Sequence, residues 1–295
     1  MSHNMTDLIG NTPLVLSKVL NMNPGVKLYF KMEGHNPGGS VKDRAAYNMI
    51  RKGLERGDFH KETRLIEATS GNTGIALAMI ASLYGLNIEL VMPENSTKER
   101  VQTMRAYGAK VTLTSSDIGI EGARDYAEQK VNEEGYFMIN QFANDDNWKA
   151  HYYTTGPEIW QDTRETVTHF VSSMGTTGTI MGTSTYLKEK NPQINIVGVQ
   201  PTDESRIPGI RKWPEAYLPK IFDRKKVDQI IEVSELQARK MAKRLAKEEG
   251  IFAGMSSGGA TCAALELASS LKSGTIVSIV CDRGDRYLSS DLFEE

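Results

Sequence analysis

Cysteine is scarce in this chain of 295 residues: only Cys262 and Cys281 occur, far apart and in no paired motif. That excludes a disulfide framework and a thiolate metal cluster, and it suits a reducing compartment. His3, His35, His60, His151 and His169 share no ligand spacing, so none is read as catalytic or metal-bound, and no metal is expected. No apolar run approaches the roughly 20 residues of a membrane span. Met1 to Asn11 lacks the apolar core of a secretion signal, so the expectation is a cytoplasmic protein with no membrane partner. An excess of one charge is missing as well: 35 Lys and Arg against 37 Asp and Glu leave −2, which argues against nucleic acid or an anionic membrane as partner. There is no G-x-G-x-x-G after an early strand, no nucleotide P-loop, no internal repeat and no low-complexity tract.

What the chain does carry is an alternation of β-type and helical runs. Ile88-Glu89-Leu90-Val91-Met92 precedes Ser96-Thr97-Lys98-Glu99, which reads as a capping box opening a helix that stops at Gly108. Val111-Thr112-Leu113 follows, then a helix from about Gly119 to Asn132. Ile196-Val197-Gly198-Val199 and Ile276-Val277-Ser278-Ile279-Val280 read as buried parallel strands, with a helix from Ser234 to near Gly250 between them. The fold class is therefore α/β with doubly wound sheets. The length allows two domains, 1–145 and 146–295, divided at the polar cluster Asn144-Asp145-Asp146-Asn147. Glu99-Arg100 and Lys247-Glu248-Glu249 read as solvated helix faces, and Met104 and Tyr107 as helix packing.

Three segments carry chemistry. In Asn36-Pro37-Gly38-Gly39-Ser40-Val41-Lys42-Asp43-Arg44, proline and two glycines make a turn that lets backbone approach a ligand, and Ser40 is placed to cap a helix. A lysine in the first turn feels the positive end of the helix dipole, which disfavours its charged form and leaves a nucleophilic amine. Taken alone, the motif fits a solvated surface lysine equally well. In the second segment, Glu67-Ala68-Thr69-Ser70-Gly71-Asn72-Thr73-Gly74, a strand end turns into a helix that is apolar on every face over Ile75–Ala81. Unpartnered N–H groups at that helix start, with Thr69, Ser70, Asn72 and Thr73 around one point, suit a carboxylate. In the third, Ser173-Met174-Gly175-Thr176-Thr177-Gly178-Thr179 follows the β-type run Val167–Val171 and precedes a helix ended by Asn191-Pro192. Its glycines and threonines suit a phosphate monoester.

In this order and spacing, the three motifs resemble the O-acetylserine sulfhydrylases (cysteine synthases), fold type II pyridoxal-phosphate enzymes of the tryptophan-synthase-β-like group. The likeness runs from Ile9-Gly10-Asn11-Thr12-Pro13-Leu14 to Arg286-Tyr287-Leu288-Ser289, nearly the whole chain. Ile207 to Pro214 and Cys281 to Arg286 resemble the B-type isozyme. The resemblance implies two α/β domains with the cofactor between them, an early segment near 13–34 crossing into the second domain, and a homodimer. It implies that Lys42 forms a Schiff base with pyridoxal 5'-phosphate and moves the substrate α-proton, and that Asn72 bonds the cofactor's ring oxygen. Thr69, Ser70, Asn72 and Thr73, with Gln141, would hold the substrate carboxylate. Gly175, Thr176, Thr177, Gly178 and Thr179 would cradle the phosphate, and Ser256 would face the pyridine nitrogen or serve only as a helix cap. Cys281 would line the substrate pocket or be a buried strand-end thiol. A mobile loop bearing Arg211, with Arg283 and Arg286 nearby, would accept a dianion.

A serine hydroxyl hydrogen-bonds a pyridine nitrogen without protonating it, which weakens the electron sink and favours loss of a β-leaving group over transamination. The implied reaction is replacement of the acetoxy group of O-acetyl-L-serine by sulfide, or by thiosulfate to give S-sulfocysteine, through an α-aminoacrylate. Serine or threonine dehydration, cystathionine formation, or a catalytically silent ligand-binding relative are the alternatives. The pair Gln141-Phe142 and the compact length favour the sulfhydrylase.

Overall fold

A computed structural model describes residues 4–69 and 71–294. Its ten described strands form two sheets. The smaller has the order β5-β4-β3-β6, all parallel, from β3 (Arg64–Ala68), β4 (Asn87–Pro93), β5 (Lys110–Thr114) and β6 (Phe137–Met138). The larger has the order β1-β2-β10-β7-β8-β9. It joins β1 (Leu14–Leu16) and β2 (Val26–Met32) to β7 (His169–Ser173), β8 (Asn195–Pro201), β9 (Gln229–Val233) and β10 (Gly274–Val280). Only the β1–β2 pair is antiparallel, and β2 pairs with β10 in the register Leu28↔Ile276. The early strand β2 thus sits beside β10, the last described strand, with β1 outside it at the sheet edge. We propose the two sheets as the two domains, with residues near 13–34 in the second.

The helices are α1 (Lys42–Arg56), α2 (Asn72–Tyr84), α3 (Lys98–Ala106), α4 (Gly119–Glu134), α5 (Asp145–Tyr153), α6 (Thr155–Asp162), α7 (Gly178–Lys190), α8 (Glu235–Arg244) and α9 (Met255–Ser270). Both faces of each sheet are covered. On the smaller sheet, Leu65, Leu90 and Met92 pack with apolar residues of α1 and α2, while Ile66 and Val91 pack on Ile120, Ala123 and Ala127 of α4. On the larger, Leu28, Val171 and Val197 meet α8 and α9, whereas Phe170, Ile196 and Val277 meet α6 and α7. Two-sided burial is why the parallel strands read as continuous apolar runs. It also explains why α2, buried from Thr73 to Ala81, has no polar face.

Several sequence expectations are corrected. The capping box at Ser96–Glu99 does not form: Thr97 is the cap residue of α3 but its side chain makes no capping bond to the helix, and the Glu99 carboxylate accepts from Ser289 N at 2.8 Å and Ser289 Oγ at 2.5 Å. Glu99-Arg100 is therefore no solvated face, since Arg100 is buried with its guanidinium 4.8 Å from the Tyr287 ring centroid. Glu249 is not solvated either; its carboxylate accepts from Ser17 Oγ and from the N–H groups of Lys18, Val19 and Leu20, tying the segment after β1 to the turn after α8. The cluster Asn144–Asn147 is the first turn of α5, capped by Asn144 Oδ1 accepting from Asp146 N at 2.9 Å. In α1 the cap position is Val41, although Ser40 Oγ still accepts from Lys42 N at 3.2 Å.

Candidate active site

In parallel α/β sheets the carboxyl ends of strands and the N-termini of helices share one edge, so unpartnered N–H groups and the residues after each strand converge there. The β3–α2, β7–α7 and β10 ends, together with the starts of α1 and α9, meet at one inner cavity of about 50 Å³. Lys42, Asn72, Thr73, Thr179, Ser256 and Cys281 are among its lining residues. Residues from five places in the sequence are thus gathered at one point. A wider cleft of about 720 Å³ adjoins it, sharing Arg100 and Gly209 with the cavity and carrying Arg211.

Lys42 is the first residue of α1. Burial lowers its pKa from the ordinary lysine value, opposed at neutral pH by the carboxylates of Asp282 and Glu33. The amine is thus the kind of group that covalent chemistry with a carbonyl requires. Burial also pushes the Cys281 thiol up to about 11, so at neutral pH it is a neutral wall of the cavity rather than a thiolate. Ser256 is the second residue of α9, whose cap is Gly254. The reading of Ser256 as a mere helix cap is therefore corrected: the helix has already begun, and the side chain lines the cavity.

Thr73 Oγ1 donates to Gln141 Oε1 at 2.7 Å, and Gln141 Nε2 donates to Ala68 O at 2.9 Å. The pair brings the start of α2 and the loop after β6 together. Thr69 does not reach into the cavity; its Oγ1 accepts from Gly71 N at 3.1 Å and Gly74 N at 3.0 Å, and so fixes the turn. Ser70 lies outside the described residues. Beneath the turn, Glu67 accepts from Asn140 N and Gln141 N, and burial raises its carboxyl to about 7 despite those bonds.

The Gly175–Thr179 turn ends at the N-terminus of α7, where Thr177 adopts φ 71° and its buried Oγ1 has no hydrogen-bond partner. An orphaned hydroxyl inside a glycine-rich helix start fits a phosphate monoester. A Cβ at Gly178 would stand 2.0 Å from Asn147 Oδ1, and one at Gly175 would stand 2.7 Å from Gly209 O. The turn therefore closes tightly only with glycine at both positions.

Sequence reasoning missed the supports of this turn. Asn147 Nδ2 donates to Gln141 O at 2.7 Å and to Thr176 Oγ1 at 3.2 Å, bridging the carboxylate-type and phosphate-type segments. His151, held neutral by burial with its pKa near 3, has Nε2 3.3 Å from Thr179 Oγ1 and Nδ1 2.8 Å from Thr155 Oγ1. Neither residue belongs to a motif; the only hint was their place one helix turn apart on α5. The cationic group expected near the cleft is also corrected. Arg283 pairs with Asp285 at 2.6 Å on the surface, and Arg286 is bound to Asn72 and Gly38. Lys212 is paired with Asp203 and Glu232. Arg211 is exposed at the cleft, 6.0 Å from the Trp213 ring centroid, while Trp213 Nε1 donates to Gly175 O at 2.7 Å. Among the described residues no group of three His, Cys, Asp or Glu side chains is placed to hold a metal ion, and no helix is long and apolar enough to cross a membrane.

With this geometry in view, residues 5–282 match the model of the family described as pyridoxal-phosphate dependent enzyme. The chain is 54% identical over 290 residues to a cysteine synthase B of Pseudomonas aeruginosa, covering 98% of this chain and 97% of that protein. It is 51% identical over 287 residues to a cysteine synthase B of Escherichia coli, covering 97% and 95%. Among solved structures, a cysteine synthase from Entamoeba histolytica superposes with TM-score 0.94 at 37% identity, covering 100% of this chain and 91% of that one.

Proposed function

From the premise that this chain belongs to the pyridoxal-phosphate dependent enzyme family, we propose that it is a cysteine synthase whose inner cavity carries out β-replacement on O-acetyl-L-serine. The relatives to which it is 54% and 51% identical over the aligned residues are cysteine synthases B, matched along nearly their full length. The observation that carries the reading is the convergence of the Lys42 amine, its pKa lowered by burial, with Ser256 and Thr179 on one cavity, the orphaned Thr177 hydroxyl lying two residues before Thr179 in the same turn.

Pyridoxal phosphate, when bound, supplies an electron sink for the α-carbon of the amino acid. Lys42 would hold it covalently, and its neutral amine would take the α-proton of the substrate. Gly175–Thr179 would bind the phosphate, with Thr177 Oγ1 as one donor. Ser256 would donate a hydrogen bond to the ring nitrogen without protonating it, which keeps the sink weak and favours departure of the acetoxy group. Thr73 and Gln141, already bonded to each other, would turn toward the substrate carboxylate, aided by the backbone N–H groups that open α2, that of Asn72 among them. Cys281 would form an uncharged wall that leaves room for the incoming sulfur. We read the protein as a cytoplasmic homodimer; the exposed apolar side chains Val15, Leu16 and Val19 on and after the edge strand β1 support a partner surface there.

The carboxylate and phosphate roles separate experimentally. Thr73→Ala or Gln141→Ala is expected to raise KM for O-acetylserine about tenfold, the effect of one lost hydrogen bond to a charged group, with cofactor content unchanged. Thr177→Ala is expected instead to lower cofactor retention on dialysis. Equal cofactor loss in all three variants would remove the distinction.

The sulfur donor is tested by supplying sulfide or thiosulfate with O-acetylserine and identifying the products. Both cysteine and S-sulfocysteine are expected, because Arg211 places a cation on the outer cleft where a dianion would enter. Arg211→Ala should lower kcat/KM for thiosulfate about tenfold more than for sulfide. Absence of S-sulfocysteine with excess thiosulfate would refute the donor assignment while leaving cysteine synthesis from sulfide intact.

A further inference from the structure

Asn72 opens α2, and its amide is gripped by residues more than 200 positions away in the sequence. Arg286 Nη1 donates to Asn72 Oδ1 at 2.6 Å, and Asn72 Nδ2 donates to Asp282 Oδ2 at 2.7 Å. A guanidinium only donates and a carboxylate only accepts, so the amide has one allowed orientation between them. Turning it over would set N–H against N–H and oxygen against oxygen, losing two charge-assisted bonds at once.

The grip is itself held in place. Tyr287 Oη donates to the same Asp282 Oδ2 at 2.7 Å, and Arg286 Nη2 reaches Gly38 O in the turn before Lys42. Thr97 Oγ1 donates to Arg286 O at 3.1 Å, and Glu99 takes the N–H and hydroxyl of Ser289. The segment after β10 is thereby pinned to α1, α2 and α3 together. Asn72 Nδ2 carries two N–H bonds, Asp282 takes one, and the side chain lines the inner cavity.

We propose that Asp282 and Arg286 are positioning residues that fix the Asn72 amide so that its second N–H is presented to the cavity, as donor to an acceptor oxygen on the ring of the bound cofactor. The inference rests on the reading of this cavity as the cofactor site. It assigns Arg286 to the orientation of Asn72 and not to the capture of an anionic substrate.

The test uses holoenzyme and reads the visible absorption band of the lysine-bound cofactor and the rate at which the cofactor is released. Asp282→Asn and Arg286→Lys are each expected to shift the band maximum and to speed release about tenfold, with circular dichroism of the wild-type form. The exchange variant Asn72→Asp with Asp282→Asn keeps the chain of hydrogen bonds to Arg286 and Tyr287 but offers the cavity no amide N–H. Its band is expected to shift as well. A network that merely braces the segment would leave the exchange variant with the wild-type band, and that result would overturn the inference. Wild-type band position and release rate in both single variants would overturn it too. A wild-type protein that takes up no cofactor would refute the cavity reading along with the inference, whereas unchanged bands in the variants refute the inference alone.

Discussion

Lys42→Ala is expected to lower turnover of O-acetylserine by about 10³-fold or more, because one substitution removes both the covalent attachment of the cofactor and the base that takes the α-proton. The wild-type protein is expected to be yellow, and borohydride should fix the label on the peptide containing Lys42. The variant should bind the cofactor without a borohydride-stable link. Its fold should persist, since α1 also buries Ala45, Ala46, Met49 and Ile50, and removing an amine whose charged form is disfavoured by burial carries no large penalty. Substantial β-replacement by Lys42→Ala would refute the assignment of the cavity as the catalytic site.

The largest expected effect on stability lies two residues further on. The Arg44 side chain is buried, with Nε 2.7 Å and Nη2 2.8 Å from the two carboxylate oxygens of Glu33, and Nη1 2.6 Å from Glu158 Oε1. Lys31, also buried, bonds Thr12 O at 2.7 Å and pairs with Glu158 at 2.8 Å. The Gly10–Thr12 turn is folded over this cluster, for Asn11 N donates to Glu158 Oε1 and Thr12 Oγ1 donates to Glu33 Oε1. Arg44→Met would leave Glu33 buried without its bidentate partner. Losing one member of a buried ion pair costs about 3–5 kcal/mol, which corresponds to a fall in Tm on the order of 10 °C. A measured loss below about 1 kcal/mol would contradict this account. Burial pushes the Glu33 carboxyl up, but Arg44 and the hydroxyl of Thr12 outweigh it and hold the pKa at about 2. A depressed carboxyl stabilises the fold fully above its ordinary value near 4.5, and the contribution is lost as pH falls toward 2. The stability gap between Arg44→Met and the wild type should therefore narrow as pH falls from about 4.5 toward 2.

What the sequence determined by itself is local. The apolar runs of β4, β8 and β10, the all-apolar α2, and the glycine-rich starts of α2 and α7 are governed by neighbours within a few residues, so their periods and turn chemistry show in the chain alone. The likeness of the three motifs to a known family then placed Lys42, Asn72, Thr73, Thr179, Ser256 and Cys281 in one site, and the fold brings them to one cavity. Tertiary structure decided the partners of the charged and amide groups. Glu99 turned from a capping box to Ser289, and Glu249 from a solvated face to Ser17 and the N–H groups beside it. Arg286 turned from a substrate cation into a ligand of Asn72. A side-chain hydrogen bond is worth only about 1 kcal/mol net, too little to fix its partner by local propensity. Burial makes an unpaired group costly, so the partner is whichever one the packed layers bring within reach. For Asn72 that meant Asp282 and Arg286, 210 and 214 residues along the chain.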